Sequence, residues 1–212
     1  MVKLHCTNKL SAKLDIDANG FLPQAHRTPV SAANLSEEGL LSGWHANLFT
    51  VQRRNCVIAV HDTTRFPVLM TCLKKDDFDN LNYWFEDVFM NTLLKLGATE
   101  AHMDTAANAI EPLCIDNQCN RSVQGTMNQM KSDFEYSLQM SDVSIEDISP
   151  YRISAWLADR PCTVKGKRDC VWPEKAMLAL LDGSKFNRPK RDDNNIESEG
   201  DNVVSLDAYR KE

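Results

Sequence analysis

The residues best placed to do chemistry are Asn120, Arg121 and Ser122, two small polar side chains and a cation standing directly before a helical repeat of apolar residues. Asn and Ser at a helix start accept hydrogen bonds from the unpaired N–H groups of the first turn. Arg121 adds a guanidinium at the positive end of the helix dipole, a combination that suits an anion such as phosphate. Gly125, inside the first turns, would let a ligand or another backbone come close. The plainer account is a capped helix whose glycine packs tightly and whose arginine makes a structural ion pair. Arg53 and Arg54 lie in a predicted hairpin turn, where paired guanidinium groups could hold a phosphate or carboxylate bidentately. They join Asn120, Arg121 and Ser122 as the anion-binding candidates if the two places meet in space, and are a solvated turn if they do not.

His5, His45 and His61 fall on predicted strands, and with Asp62 they could converge on a metal or form an acid–base pair. No H-x-x-x-H or paired His/Cys spacing accompanies them, and a lone strand histidine is more often packed or at the surface. The sequence therefore assigns no metal site and no cofactor. Ser122 and Cys6 lack a G-x-S-x-G setting, and phosphate-loop and dinucleotide fingerprints are missing, so no catalytic set is assigned either. Lys165, Lys167 and Arg168 near Trp172 could touch nucleic acid through charge and stacking, although Asp169 and Glu174 dilute them.

These residues need a scaffold. The alternation of Val2, Leu4 and Cys6 with Lys3 and His5 predicts a half-buried strand, followed by a short helix capped by Thr7 or Asn8 and carrying Leu10 and Leu14. Residues 15–43 are rich in Gly, Pro, Ser and Asn and read as a long loop, with one helical turn near Ser36. Three strands follow, at 44–51, 56–61 and 66–72, joined by polar turns as an antiparallel meander. The middle one is almost wholly apolar and should be covered on both faces; Pro67 suits an edge strand. A long helix from Asp76 or Asp77 repeats apolar residues from Phe78 to Leu96 at three- and four-residue spacing, before Gly97 ends it. Residues 99–110 read as a helix, 113–115 as a short fourth strand after the meander, and the motif helix carries Val123, Met127, Met130, Phe134 and Leu138 on one face. Further helices start at Pro150 and Pro173. The expectation is an α+β fold, a small, mainly antiparallel sheet packed by amphipathic helices, in one domain over residues 1–182. Residues 183–212 read as a flexible tail, with 203–210 as a candidate docking segment for a protein partner.

A chain of 212 residues, 42% hydrophobic and 25% charged, has ordinary globular composition. Its net charge of −6 argues against wholesale wrapping of nucleic acid, which rewards a dense cationic face. Seven cysteines, an odd number without a C-x-x-C pair, read as reduced intracellular thiols. No apolar run reaches the roughly 18 residues of a membrane span, and no secretory signal pattern follows Met1, so a cytoplasmic location without membrane association is expected.

Four places together resemble an uncharacterised family of bacterial intracellular domains of unknown function. They are Leu4-His5-Cys6-Thr7-Asn8-Lys9-Leu10; Trp44 with Ala46-Asn47-Leu48; Arg53-Arg54 leading into Cys56-Val57; and Asn120-Arg121-Ser122-Val123 with Gly125 and Met127-Asn128. They span about residues 2 to 140, with a weaker echo at Pro161 and at Pro173-Glu174-Lys175-Ala176. Gln129 departs from the pattern, which has Asp after the Met-Asn step. The resemblance implies an α+β domain and a bacterial, often mobile-element-linked setting, and it lends no activity. Two functions fit these residues. One is a non-enzymatic binding or regulatory module that recognises a phosphate-bearing or acidic ligand. The other is an enzyme acting on a phosphorylated or nucleic-acid substrate, favoured if a strand histidine reaches a pocket lined by Arg121 and Arg53.

Overall fold

A computed structural model describes residues 1–23, 39–141, 143–164 and 170–183. Strand β1 is Val2–Cys6, and β2 (Trp44–Val51), β3 (Arg54–His61) and β4 (Pro67–Leu73) form the expected meander. The fifth strand, β5, is Leu113–Asp116, and the sheet order is β4-β3-β2-β1-β5. The antiparallel pairing stops at β2, because β1 runs parallel to both β2 and β5. The sheet is therefore mixed. Non-local parallel pairing of this kind leaves no hairpin signal, which is why the strand-by-strand pattern suggested a more antiparallel sheet.

Period-2 alternation divides the sheet into two faces. Leu4, Trp44, Ala46, Val57, Ala59, Val68 and Met70 bury on one face against Phe85, Val88, Phe89 and Leu93. These four come from helix α3 (Leu81–Lys95). On the other face Phe49, Ile58, Val60 and Leu69 meet Val123, Met127, Met130, Phe134 and Leu138 of α5 (Arg121–Ser141). Both faces of β3 are covered, as its apolar run required. Each large side chain buried in these layers stabilises by about 1.5–3 kcal/mol.

The remaining helices are α1 (Asn8–Ser11), α2 (Lys75–Asp79), α4 (Glu100–Ala109), α6 (Pro150–Ala158) and α7 (Pro173–Leu181). The single helix expected from Asp76 or Asp77 onward is broken into α2 and α3 at Asn80, whose backbone leaves helical geometry (φ −106°, ψ 25°). The Asn80 side chain donates to the Asp76 carbonyl at 3.1 Å, the local competition with the helix ladder that Asn favours. Both sheet edges are protected. Helix α6 lies along β4, where the Ser154 hydroxyl accepts the Leu69 N–H at 2.9 Å. On the β5 side the Ile115 N–H donates to the Gly20 carbonyl at 2.8 Å. Gly20 is needed there, since its φ is +85° and a Cβ would lie 2.8 Å from the Ile115 carbonyl oxygen.

The turn predicted over Gln52 to Asn55 is tighter than expected. Gln52 and Arg53 alone make it, both at positive φ (45° and 65°), and Arg54 already pairs with Val51. Among the described residues no helix is long and apolar enough to cross a membrane. The helical turn expected near Ser36, the basic cluster Lys165, Lys167 and Arg168, and the segment 203–210 lie outside the described residues.

Candidate functional site

The parallel pairing of β1 places His5 opposite His45 on one side and opposite Asp116 on the other. All three point to the face that carries α5, beside the first turn of that helix. Asp62 joins them from the residue after β3, its carboxylate packed over Gly43, where a Cβ would meet an Asp62 oxygen at 3.3 Å. Three of the four groups expected to converge therefore do so. His61 does not: it stands opposite Trp44 in the β2–β3 register, so its ring enters the other face, 4.9 Å from the Trp44 ring centroid.

Hydrogen bonds fix both rings of the cluster. His5 Nδ1 lies 2.5 Å from Asp116 Oδ1, which leaves Nε2 turned toward Asp62 Oδ2 at 3.8 Å. Asp116 Oδ1 also accepts the Gln118 N–H at 2.9 Å. His45 Nδ1 lies 2.7 Å from Asp62 Oδ1, while its Nε2 accepts the backbone N–H of Asn120 at 2.7 Å. That acceptance sets the tautomer: Nδ1 carries the proton and donates it to Asp62. The first peptide of the Asn-Arg-Ser motif is thus bonded to a histidine of the sheet. Asp116 had not been marked in the sequence, because only the parallel register brings it beside His5.

The motif itself divides its labour. The Asn120 side-chain oxygen accepts the N–H groups of Ser122 (3.0 Å) and Val123 (3.4 Å), the capping role expected of it. The Ser122 hydroxyl does something else and receives Nη2 of Arg65 at 3.2 Å. Arg121 is exposed and has no ion pair among the described residues. It lines a cleft of about 780 Å3 together with Ser122, Gly125, Arg160 and Thr163. Arg160 is engaged there, bonded to Asp133 at 3.2 Å and lying over the Trp156 ring. Gly125 does not pack on the sheet: it is exposed, and a Cβ there would have no neighbour within 4 Å.

Arg65 is the second residue that pattern reading passed over. It is 5% exposed, sits at φ +62°, donates Nη1 to the Asp62 carbonyl at 2.6 Å, and has a buried Nε without a partner. Burial pushes its guanidinium below the ordinary value, partly offset by the Asp62 carboxylate. A non-glycine residue held at positive φ with a buried cation is local strain that the surrounding fold must sustain. Arg65 links the Asp62 end of the histidine cluster to the Ser122 wall of the cleft.

Arg53 and Arg54 are elsewhere. Arg54 pairs with Glu146, and the neighbouring Gln52 side chain bonds Val143 and Ile145, beyond the far end of α5. The 21 residues of α5, roughly 30 Å of helix, therefore separate them from Arg121. The two halves of the anticipated anion site do not meet.

The molecule is thus an α+β domain with a histidine–carboxylate cluster at the carboxyl ends of β1 and β5, bonded to the head of α5. It belongs to the DUF6933 family, a domain of unknown function, whose model matches residues 3–176. No curated protein and no solved structure matches the chain.

Proposed function

We propose that this protein is a binding or regulatory module that recognises a phosphate-bearing or otherwise acidic ligand at the head of α5. The observation that carries the reading is Arg121, a guanidinium with no ion pair among the described residues, on the wall of a cleft over the first turns of the helix, beside Ser122 and the open space at Gly125. An anion there meets a full positive charge and the positive end of a 21-residue helix dipole. Asn120 and Ser122 shape the site rather than contact the ligand, since Asn120 caps the helix and Ser122 holds Arg65. Arg53 and Arg54 drop out of the recognition surface. The resemblance adds a bacterial, cytoplasmic and mobile-element setting, and the segment 203–210 remains the candidate dock for a protein partner.

The test is thermal unfolding with inorganic phosphate, pyrophosphate and nucleotides. Ligand at a hundredfold excess over Kd stabilises by about 2.7 kcal/mol, roughly 5–10 °C for a domain of this size. Arg121→Ala should lose most of that shift while keeping the unliganded melting temperature; Arg53→Ala should keep it. Equal stabilisation of wild type and Arg121→Ala would remove the proposal.

The alternative, an enzyme acting on a phosphorylated or nucleic-acid substrate, has one observation in its favour. His5 and His45 converge with two carboxylates next to Asn120, although Arg53 is far away. Turnover of p-nitrophenyl phosphate or its diester that disappears in His5→Gln would favour it.

A further inference from the structure

We infer that His5, His45 and Asp62 form a binding site for a divalent transition metal of the zinc class. One donor atom from each lies within 4.8 Å of the others. Two imidazoles and a carboxylate are a ligand set for such ions, and a fourth position is left for water or a ligand. The residues are 5, 45 and 62, too scattered for a spacing motif, yet the parallel β1–β2 register and the β2–β3 hairpin put them side by side.

His5 is set for binding as it stands, whereas His45 needs a change of tautomer. His5 gives Nδ1 to Asp116, the carboxylate–histidine arrangement that fixes the orientation of a metal ligand. Its Nε2 is thereby aimed at Asp62, 3.8 Å away. His45 Nδ1 faces the other oxygen of the same carboxylate at 2.7 Å. Metal–ligand bonds of about 2.0–2.2 Å place neighbouring donors of a tetrahedral site roughly 3.3–3.5 Å apart. The His5–carboxylate distance must close by a few tenths of an ångström, the His45–carboxylate distance must open, and donors now as far as 4.8 Å apart must draw together by about 1 Å, so binding requires the side chains to shift. The histidines are 9% and 2% exposed, and Asp62 is half-buried, so the site is shielded yet reachable.

Occupancy would also be felt at the helix. A metal on His45 Nδ1 displaces the proton now given to Asp62, and the neutral ring then carries its hydrogen on Nε2. That nitrogen could no longer accept the Asn120 N–H, so the peptide that opens α5 must turn away. The metal site does not depend on the anion reading, but it would act on the same corner of the molecule.

The experiment uses the full chain after chelator treatment, titrated calorimetrically with Zn2+ and followed by absorption with Co2+. Wild type should take up one equivalent, and its Asn120 amide resonance should move. His5→Gln and Asp62→Asn, which keep side-chain size, should each weaken binding at least a hundredfold while retaining native circular dichroism. Asp116→Asn should weaken it about 10–100-fold, and Arg121→Ala should bind as wild type. The inference is overturned if wild type shows no saturable equivalent or if that equivalent survives both His5→Gln and Asp62→Asn. Co2+ spectra dominated by thiolate charge transfer, placing the ion on cysteines, would overturn it as well.

Discussion

His61 and His45 belong to the same strand pair and face opposite ways, and their chemistry differs accordingly. His45 exchanges hydrogen bonds with Asp62 and Asn120, whereas His61 is 1% exposed and accepts from the Thr64 N–H. Burial pushes the His61 pKa down to about 4 from 6.5, with Asp62 opposing the shift. Folding therefore favours the neutral ring. Above pH 6.5 that contribution is fully present. As the pH falls through 6.5 the unfolded chain takes up a proton that the folded chain refuses, and stability is lost until about pH 4. The whole effect is about 3 kcal/mol. Urea unfolding at pH 7.5 and pH 4.5 should show a loss about 2–3 kcal/mol smaller in His61→Gln than in wild type; an equal loss would assign the acid sensitivity to other groups. Three histidines on strands were visible in the sequence, but which two would share a face with Asp62 was not, because β1 joins β2 through a parallel register with no local signature.

At the level of elements, α5 supplies both the cap bonded to His45 and the wall of the cleft. Its apolar repeat made both its existence and its buried face legible, and Val123, Met127, Met130, Phe134 and Leu138 are all buried as that spacing required. The role of Gly125 was not legible. Room for a ligand and close packing on the sheet were both open from the sequence, and the structure leaves Gly125 exposed over the cleft. Glycine in a helix interior costs about 0.5–1 kcal/mol relative to alanine. Gly125→Ala should therefore raise the stability of the unliganded protein by that amount in urea unfolding. Destabilisation would mean that the backbone at 125 is constrained in a way these contacts do not contain. The same substitution places a methyl group in the cleft and should weaken phosphate binding, so opposite signs for stability and affinity are the expected pattern. The break at Asn80 shows the limit of periodicity: Phe78 and Leu81 fit one continuous repeat, yet the chain divides at Asn80, whose side-chain amide donates to the Asp76 carbonyl.

Across the whole molecule, the meander, the edge position of β4 and the helices over both faces follow from alternation and turn chemistry within short windows. What those windows could not supply is long-range. Residues 5, 45, 62 and 116 meet only after β1 has paired on both sides, and Arg65 reaches Ser122 only once α5 lies on the sheet. The same length of helix that brings Asn120 to His45 carries Arg53 and Arg54 away, so a sequence that offered one composite anion site folds into two separate ends. We place ligand recognition at the end where α5 begins. Amide chemical shifts followed while inorganic phosphate is titrated into the full chain test it most directly. Saturable shifts are expected at Arg121, Ser122 and Gly125 with the Gln52-Arg53 turn unmoved; shifts centred on that turn, or none that saturate, would place recognition elsewhere.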